Sequence, residues 1–214
     1  SYLEAVTIHS THDSGLRLPE TIRAWFAGKG WTPRPHQLDL LGLAENGRSV
    51  LLIAPTGAGK TLAGFLPSLV DLSRRTARKP GTRAPGIHTL YISPLKALAT
   101  DIQRNLAAPV EEMGLRIEIE TRTGDTSQHR RQRQKLRPPD ILLTTPEQLA
   151  LLIASKDAEA FFSDLKMVIF DELHSLVTSK RGHLLALGLA RLRKLRPDLQ
   201  TVSYTHLTLP TICS

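Results

Sequence analysis

The sequence predicts an α/β fold, a parallel sheet with helices on both faces, and three observations carry that expectation. Short β-like runs alternate with helical patterns along most of the 214 residues, and such alternation specifies a parallel sheet covered on both sides. One apolar run, Val50 to Pro55, passes directly into Thr56-Gly-Ala-Gly-Lys-Thr61 and then into a helical pattern. Another, Leu165 to Phe170, ends in the acidic pair Asp171-Glu172. A near-continuous apolar run of that length is what a strand buried on both faces requires.

The elements follow in order. Pro19 to Ala27 reads as an N-terminal helix, and Val50 to Pro55 as the first strand. Four more strands are expected at Thr89 to Pro94, Ile117 to Thr123, Ile141 to Thr145 and Met167 to Asp171, each a short β-branched or apolar run bounded by turn residues. Helical patterns fall between or after them, at Lys60 to Ser73, Leu95 to Glu112, Thr126 to Leu136, Pro146 to Ser155 and Gly182 to Leu195. Lys79 to Gly86 is rich in Pro, Gly and charge and reads as a surface loop.

Composition bounds the chemistry. With 41% hydrophobic and 22% charged residues, the chain has the balance of an ordinary globular domain with one good core. The apolar runs are far too short to cross a bilayer and the N-terminus carries no signal-peptide pattern, so a cytosolic protein is expected, with no membrane partner. A single cysteine, Cys213, excludes a disulfide framework or a cysteine zinc site within the chain, and the eight histidines show no metal-ligand spacing. The net charge of +8 favours a polyanionic partner. Much of it is local, at Arg130, Arg131, Arg133, Lys135 and Arg137. That run reads either as phosphate contacts or as a solvated helix face.

Ala54 to Thr61 fits a Walker phosphate loop with Ala54 at the position of its first glycine. Gly57 and Gly59 let backbone N–H groups turn inward around phosphate oxygens, flanked by Thr56 and Ala58, and the following helix points its positive end at them. Lys60 would reach the β- and γ-phosphates, and the Thr61 hydroxyl would bind Mg²⁺. Asp171, at the carboxyl end of its strand, can hold the same Mg²⁺, and Glu172 can polarise the attacking water. Nucleotide hydrolysis is the implied chemistry.

The remaining motifs resemble the first RecA-like domain of superfamily 2 helicases. Arg34-Pro-His-Gln37 resembles the Q motif, which implies ATP as the nucleotide, with Arg34 and Gln37 serving the adenine. Ser93-Pro-Leu-Lys-Ala-Leu-Ala99 resembles motif Ia, Thr121-Arg-Thr-Gly-Asp125 resembles motif Ib, and Thr144-Thr-Pro-Glu-Gln-Leu149 resembles the motif that follows. The resemblance implies a groove for one nucleic-acid strand at Pro94, Lys96, Arg122, Thr123, Gly124, Asp125, Thr145, Pro146 and Glu147. Asp171-Glu-Leu-His174 has the DExH form, in which His174 links the nucleotide site to the groove. Trp31 to Gln37, Leu90 to Leu98, Thr121 to Thr126 and Thr178 to Gly182 are similar in wording to the large helicase-related (Lhr) family. Ala108 to Leu115 and Val177 to Gly182 look like its bacterial ligase-associated DNA-damage-response members. That likeness implies a 3′-to-5′ DNA translocase, with repair proteins such as a ligase or nuclease as partners. RNA in place of DNA, or a nucleic-acid-binding module without useful turnover, are the alternatives.

The resemblance covers residues 18–201, with 1–17 as an N-terminal extension. Beyond it the family pattern would continue with Ser-Ala-Thr, whereas this chain has Ser203-Tyr-Thr-His-Leu-Thr-Leu-Pro-Thr-Ile-Cys-Ser214. Residues 202–214 are therefore expected to be a non-native read-through tail, and the second RecA-like domain with its arginine fingers is absent from the chain.

Overall fold

The computed structural model describes residues 4–6, 18–47, 50–53, 60–75, 86–171 and 180–205. Seven strands, β1 (Glu4–Val6), β2 (Val50–Ile53), β3 (Thr89–Ile92), β4 (Ile119–Arg122), β5 (Ile141–Thr144), β6 (Met167–Phe170) and β7 (Gln200–Thr205), form one sheet in the order β1-β2-β7-β6-β3-β5-β4. Every neighbouring pair is parallel, as the strand-helix alternation predicts. The described helices are α1 (Glu20–Gly28), α2 (Pro35–Glu45), α3 (Lys60–Ser73), α4 (Lys96–Glu112), α5 (Gln128–Leu136), α6 (Pro146–Ile153), α7 (Ala158–Phe161) and α8 (Lys180–Leu195). None of them is long and apolar enough to cross a membrane.

The period of two in β3, β5 and β6 divides the interior into two cores. Tyr91, Ile141, Leu143 and Ile169 face one layer, where they pack with Ile22, Leu40, Phe65 and Leu106. Leu90, Ile92, Leu142 and Val168 face the other, with Leu149, Phe162, Leu185 and Leu192. Each such side chain, fully withdrawn from water, contributes about 1.5–3 kcal/mol. Both faces of these strands are covered, which is why their sequences read as unbroken apolar runs.

The five expected strands and six expected helices are present, and the structure adds four elements. β1 lies within residues 1–17, so part of the expected extension belongs to the sheet; three residues are too few to show a period. β7 crosses the expected boundary at residue 202, and its alternating Gln-Thr-Val-Ser-Tyr-Thr does not look like a buried run. Within α2, leucines at 38, 40, 41 and 43 leave no clear polar face, so the helical period is hidden. α7 has only four residues.

At the end where strands begin, a buried polar chain ties α3 to β3 and β6. His88 is 1% exposed; its Nε2 is 2.6 Å from Asp71 Oδ2 and its Nδ1 is 2.8 Å from Thr89 Oγ1. Thr89 Oγ1 lies 2.8 Å from Ser68 Oγ, and Lys166 Nζ donates to Asp71 Oδ2 at 2.9 Å. The hydrogen bond from His88, with help from Lys166 against partial burial, holds the Asp71 carboxyl well below the usual carboxylate range. Burial pushes the His88 imidazole below its ordinary range, which the bond to Asp71 offsets only in part, and the nearby Arg75 and Lys166 charges act in the same direction as burial. One state satisfies both groups, an ionised Asp71 accepting from the Nε2–H of a neutral His88. On unfolding, the imidazole regains its ordinary value of about 6.5 and takes up a proton below that pH. Stability is therefore retained above pH 6.5 and lost as the pH falls, by about 1.4 kcal/mol per unit until the folded imidazole itself titrates. Urea unfolding between pH 7 and 5 should show this slope, and His88→Gln should flatten it. Equal slopes in the two proteins would place the acid sensitivity elsewhere.

Candidate nucleotide site and nucleic-acid groove

A parallel sheet delivers the residues that follow each strand to one edge. Lys60 opens α3, and the partly buried Thr61 follows it in the first turn, where the helix dipole favours anions. Asp171 is the residue after β6. Its N–H donates to Ile92 O at 3.0 Å, and its Oδ2 accepts from the Tyr91 hydroxyl at 2.6 Å. The neighbouring strand β3 thus holds the carboxylate from both its backbone and its side chain. The Tyr91 ring in turn stacks on Phe65 of α3, with centroids 5.7 Å apart. One aromatic pair therefore supports both α3 and the acidic end of β6. Sequence reasoning does not single out Tyr91; the available signal is an aromatic with a polar tip inside an apolar strand, which needs a partner when buried.

Arg34 and Gln37 lie at the start of α2. Pro35 suits the first helical position, and the Arg34 N–H donates to Gln37 Oε1 at 2.8 Å. This bond fixes the orientation of the Gln37 amide, which is 4% exposed. Arg34, Gln37 and Thr61 line one cavity of about 730 Å³ together with Trp25, Trp31 and Leu62. Trp31 is 57% exposed and meets Trp25 edge-on at 5.6 Å, while Trp25 Nε1 donates to Glu112 Oε2 at 2.7 Å. The two tryptophans are further lining groups that the motif reading does not identify. Thr56, Gly57, Ala58, Gly59, Glu172 and His174 lie outside the described residues.

The residues expected to form a groove gather at the same edge. β3 pairs with β5 and β5 with β4, so Ile92, Thr144 and Arg122 are in register. Ser93 N–H donates to Thr144 O at 3.0 Å, and Thr144 Oγ1 donates to Arg122 O at 2.7 Å. Pro94 is partly buried, Thr145 and Pro146 are buried, and Glu147 is partly buried at the first turn of α6. Gly124 and Asp125 are exposed, whereas Thr123 is 7% and Arg122 only 5% exposed. Lys96 Nζ donates to Asp125 Oδ2 at 2.6 Å, so an ion pair spans the loops after β3 and β4. Lys96, Thr100, Thr121, Thr123, Asp125 and Thr126 help to line a depression of about 420 Å³.

Within the basic run, several charges have partners in the protein while Arg133 and Arg137 stay largely exposed. Arg130 Nε donates to Glu120 at 3.3 Å and Arg133 also donates to it, while Arg131 Nη2 reaches the carbonyls of Thr123 and Gly124 at 3.1 and 3.0 Å. The sequence gives no hint of this, because Glu120 faces α5 from a strand eight residues before the helix begins.

Comparison with known proteins agrees with this architecture. Residues 34–206 match the DEAD/DEAH box helicase family. The chain is 41% identical over 189 residues to the Lhr helicase/probable uracil glycosylase of Mycolicibacterium smegmatis, covering 84% of this chain and 12% of that protein. It is 39% identical over 191 residues to ATP-dependent helicase Lhr-Core protein 2 of Thermococcus barophilus, covering 85% of this chain and 22% of the relative. It thus spans less than a quarter of the length of these curated relatives. Among solved structures, helicase Lhr of Mycobacterium smegmatis bound to ssDNA and AMP-PNP superposes with a TM-score of 0.79 at 36% identity, over 90% of this chain and 25% of that one. With its RecA-like sheet and the residues gathered at the sheet's carboxyl edge, this chain belongs to the DEAD/DEAH box helicase family, with relatives among the Lhr helicases.

Proposed function

We propose that the chain is the first motor domain of an ATP-dependent helicase that binds Mg-ATP beside α3 and one strand, DNA in preference to RNA, across the loops after β3, β4 and β5. The observation that carries this reading is the arrangement at one sheet edge: Gln37 and Thr61 share a cavity, and Asp171 is fixed by Tyr91. The Thr61 hydroxyl and the Asp171 carboxylate are hard oxygen donors of the kind Mg²⁺ takes, so the residues present fit that ion. When bound with ATP, it would neutralise charge on the β- and γ-phosphates. The protein's own groups do the rest. Gln37 and Arg34 orient the adenine, Lys60 sets a cation against the phosphates, and Glu172 accepts a proton from the attacking water. Lys96 and the turn at residues 123–126 meet the strand. His174 connects the two sites, and repair proteins such as a ligase or nuclease are the partners. Phosphoryl transfer also needs positive charge from a second domain, worth about 10³–10⁵ in rate, so this chain alone turns over slowly.

The test is direct. A fluorescent ATP analogue should bind in a Mg²⁺-dependent manner, and labelled oligo-dT should bind more tightly than oligo-rU. Binding of oligo-dT without any Mg²⁺-dependent nucleotide binding would identify a nucleic-acid-binding module and overturn the motor.

A further inference from the structure

We propose that α5 is a polar buttress for the turn at residues 123–126 and that Arg131 is a positioning residue for strand binding, acting through that turn without touching phosphate. The proposal rests on the groove described above.

α5 reads Gln-His-Arg-Arg-Gln-Arg-Gln-Lys-Leu. Its one large apolar residue, Leu136, is 83% exposed, so hydrophobic burial cannot hold the helix to the sheet. Polar bonds replace it. Ser127 Oγ caps the helix by accepting from Arg130 N at 3.3 Å. Gln134, with no exposed surface, donates to Glu120 Oε2 at 2.7 Å and to Thr121 O at 3.0 Å. Glu120 is 6% exposed and also accepts from Arg130 and Arg133. A buried carboxylate with this many donors locks helix to strand, because removing a partner would leave a desolvated charge.

The locked helix then fixes the turn. The turn closes on itself, with Thr126 N donating to Thr123 O at 3.2 Å and Thr123 N to Thr126 Oγ1 at 2.9 Å. Those bonds leave the Gly124 carbonyl unengaged by the turn itself, and Arg131 binds it together with that of Thr123. Both bonds come from Nη2, whose two N–H groups divide between the two carbonyls at the full reach of the arginine side chain. Beneath lies Arg122, nearly buried, whose Nη1 donates to the Arg131 carbonyl at 3.5 Å. Burial and the Arg131 charge depress the Arg122 guanidinium from its ordinary range. Two guanidiniums facing inward under the turn are thus committed to carbonyls, and the turn presents its outer face to the groove.

Two readouts on the full 214-residue chain test this. Arg131→Lys keeps the charge, but its ammonium ends about one bond short of the position of Nη2 and so loses the reach to both carbonyls, and Arg131→Met removes the charge. In both, amide hydrogen exchange at Asp125 and Thr126 should accelerate about tenfold or more, and oligo-dT affinity should fall by a similar factor. The dependence of log affinity on log salt should keep its slope, and affinity for the fluorescent ATP analogue should not change. A phosphate contact would behave differently: Arg131→Lys would retain affinity and Arg131→Met would lower the slope by about 0.7. That pattern, or unchanged exchange in the turn, overturns the proposal. A parent chain that binds nucleotide but no oligo-dT instead overturns the groove reading, and with it the role in strand binding.

Discussion

Glu172→Gln, introduced into a full-length parent, is expected to lower ATP turnover by about 10²–10⁴-fold, the contribution of a positioned general base, while ATP and DNA are still bound. The amide has the size of the carboxylate but cannot take the water's proton. Asp171, a separate residue held by Tyr91 and the Ile92 carbonyl, keeps its place at the strand end. Binding and chemistry should therefore separate cleanly. The check is steady-state phosphate release beside equilibrium affinities for a fluorescent ATP analogue and oligo-dT. Turnover within a few-fold of the parent would show that another group activates the water.

Lys60→Ala should weaken binding of the ATP analogue to the 214-residue chain by about ten- to a hundredfold. Hydrogen bonds to charged groups contribute about 1.5–3 kcal/mol, and each 1.36 kcal/mol is tenfold. The fold should survive, because Lys60 is the first residue of α3 and alanine is the best helix former. Circular dichroism and the urea midpoint report on the fold and the analogue titration on the site. Unaltered affinity would refute the assignment of the phosphate loop.

The parts of this molecule legible in its sequence are those set by one-dimensional pattern. β3, β5 and β6 are buried on both faces, so their apolar runs announce them, and the glycine-rich loop and the acidic strand end carry their chemistry in consecutive residues. What escapes depends on contacts across the fold. The Tyr91 hydroxyl meets Asp171 across 80 positions. Glu120 gathers Arg130, Arg133 and Gln134, so two half-exposed arginines and a buried glutamine of α5 share one acid on the edge strand. β7 escapes for another reason. Its bonds to β2 and β6 are made by backbone, which any residue but proline supplies, so the departure from Ser-Ala-Thr removes the motif without removing the strand.

The position of β7 has a consequence for how the chain is made. Among the described residues, β2 and β6 are joined only through this strand. On the ribosome, β2 emerges roughly 150 residues before β7, a delay of roughly ten to thirty seconds at ordinary elongation rates. Over roughly the last thirty residues of that interval, once β6 has emerged, β1-β2 and β6-β3-β5-β4 are separate ribbons, each with an open edge that invites pairing with a stranger. The nascent chain is thus most vulnerable in the gap where these two ribbons await residues 200–205, and their mechanical continuity is acquired in a single late insertion.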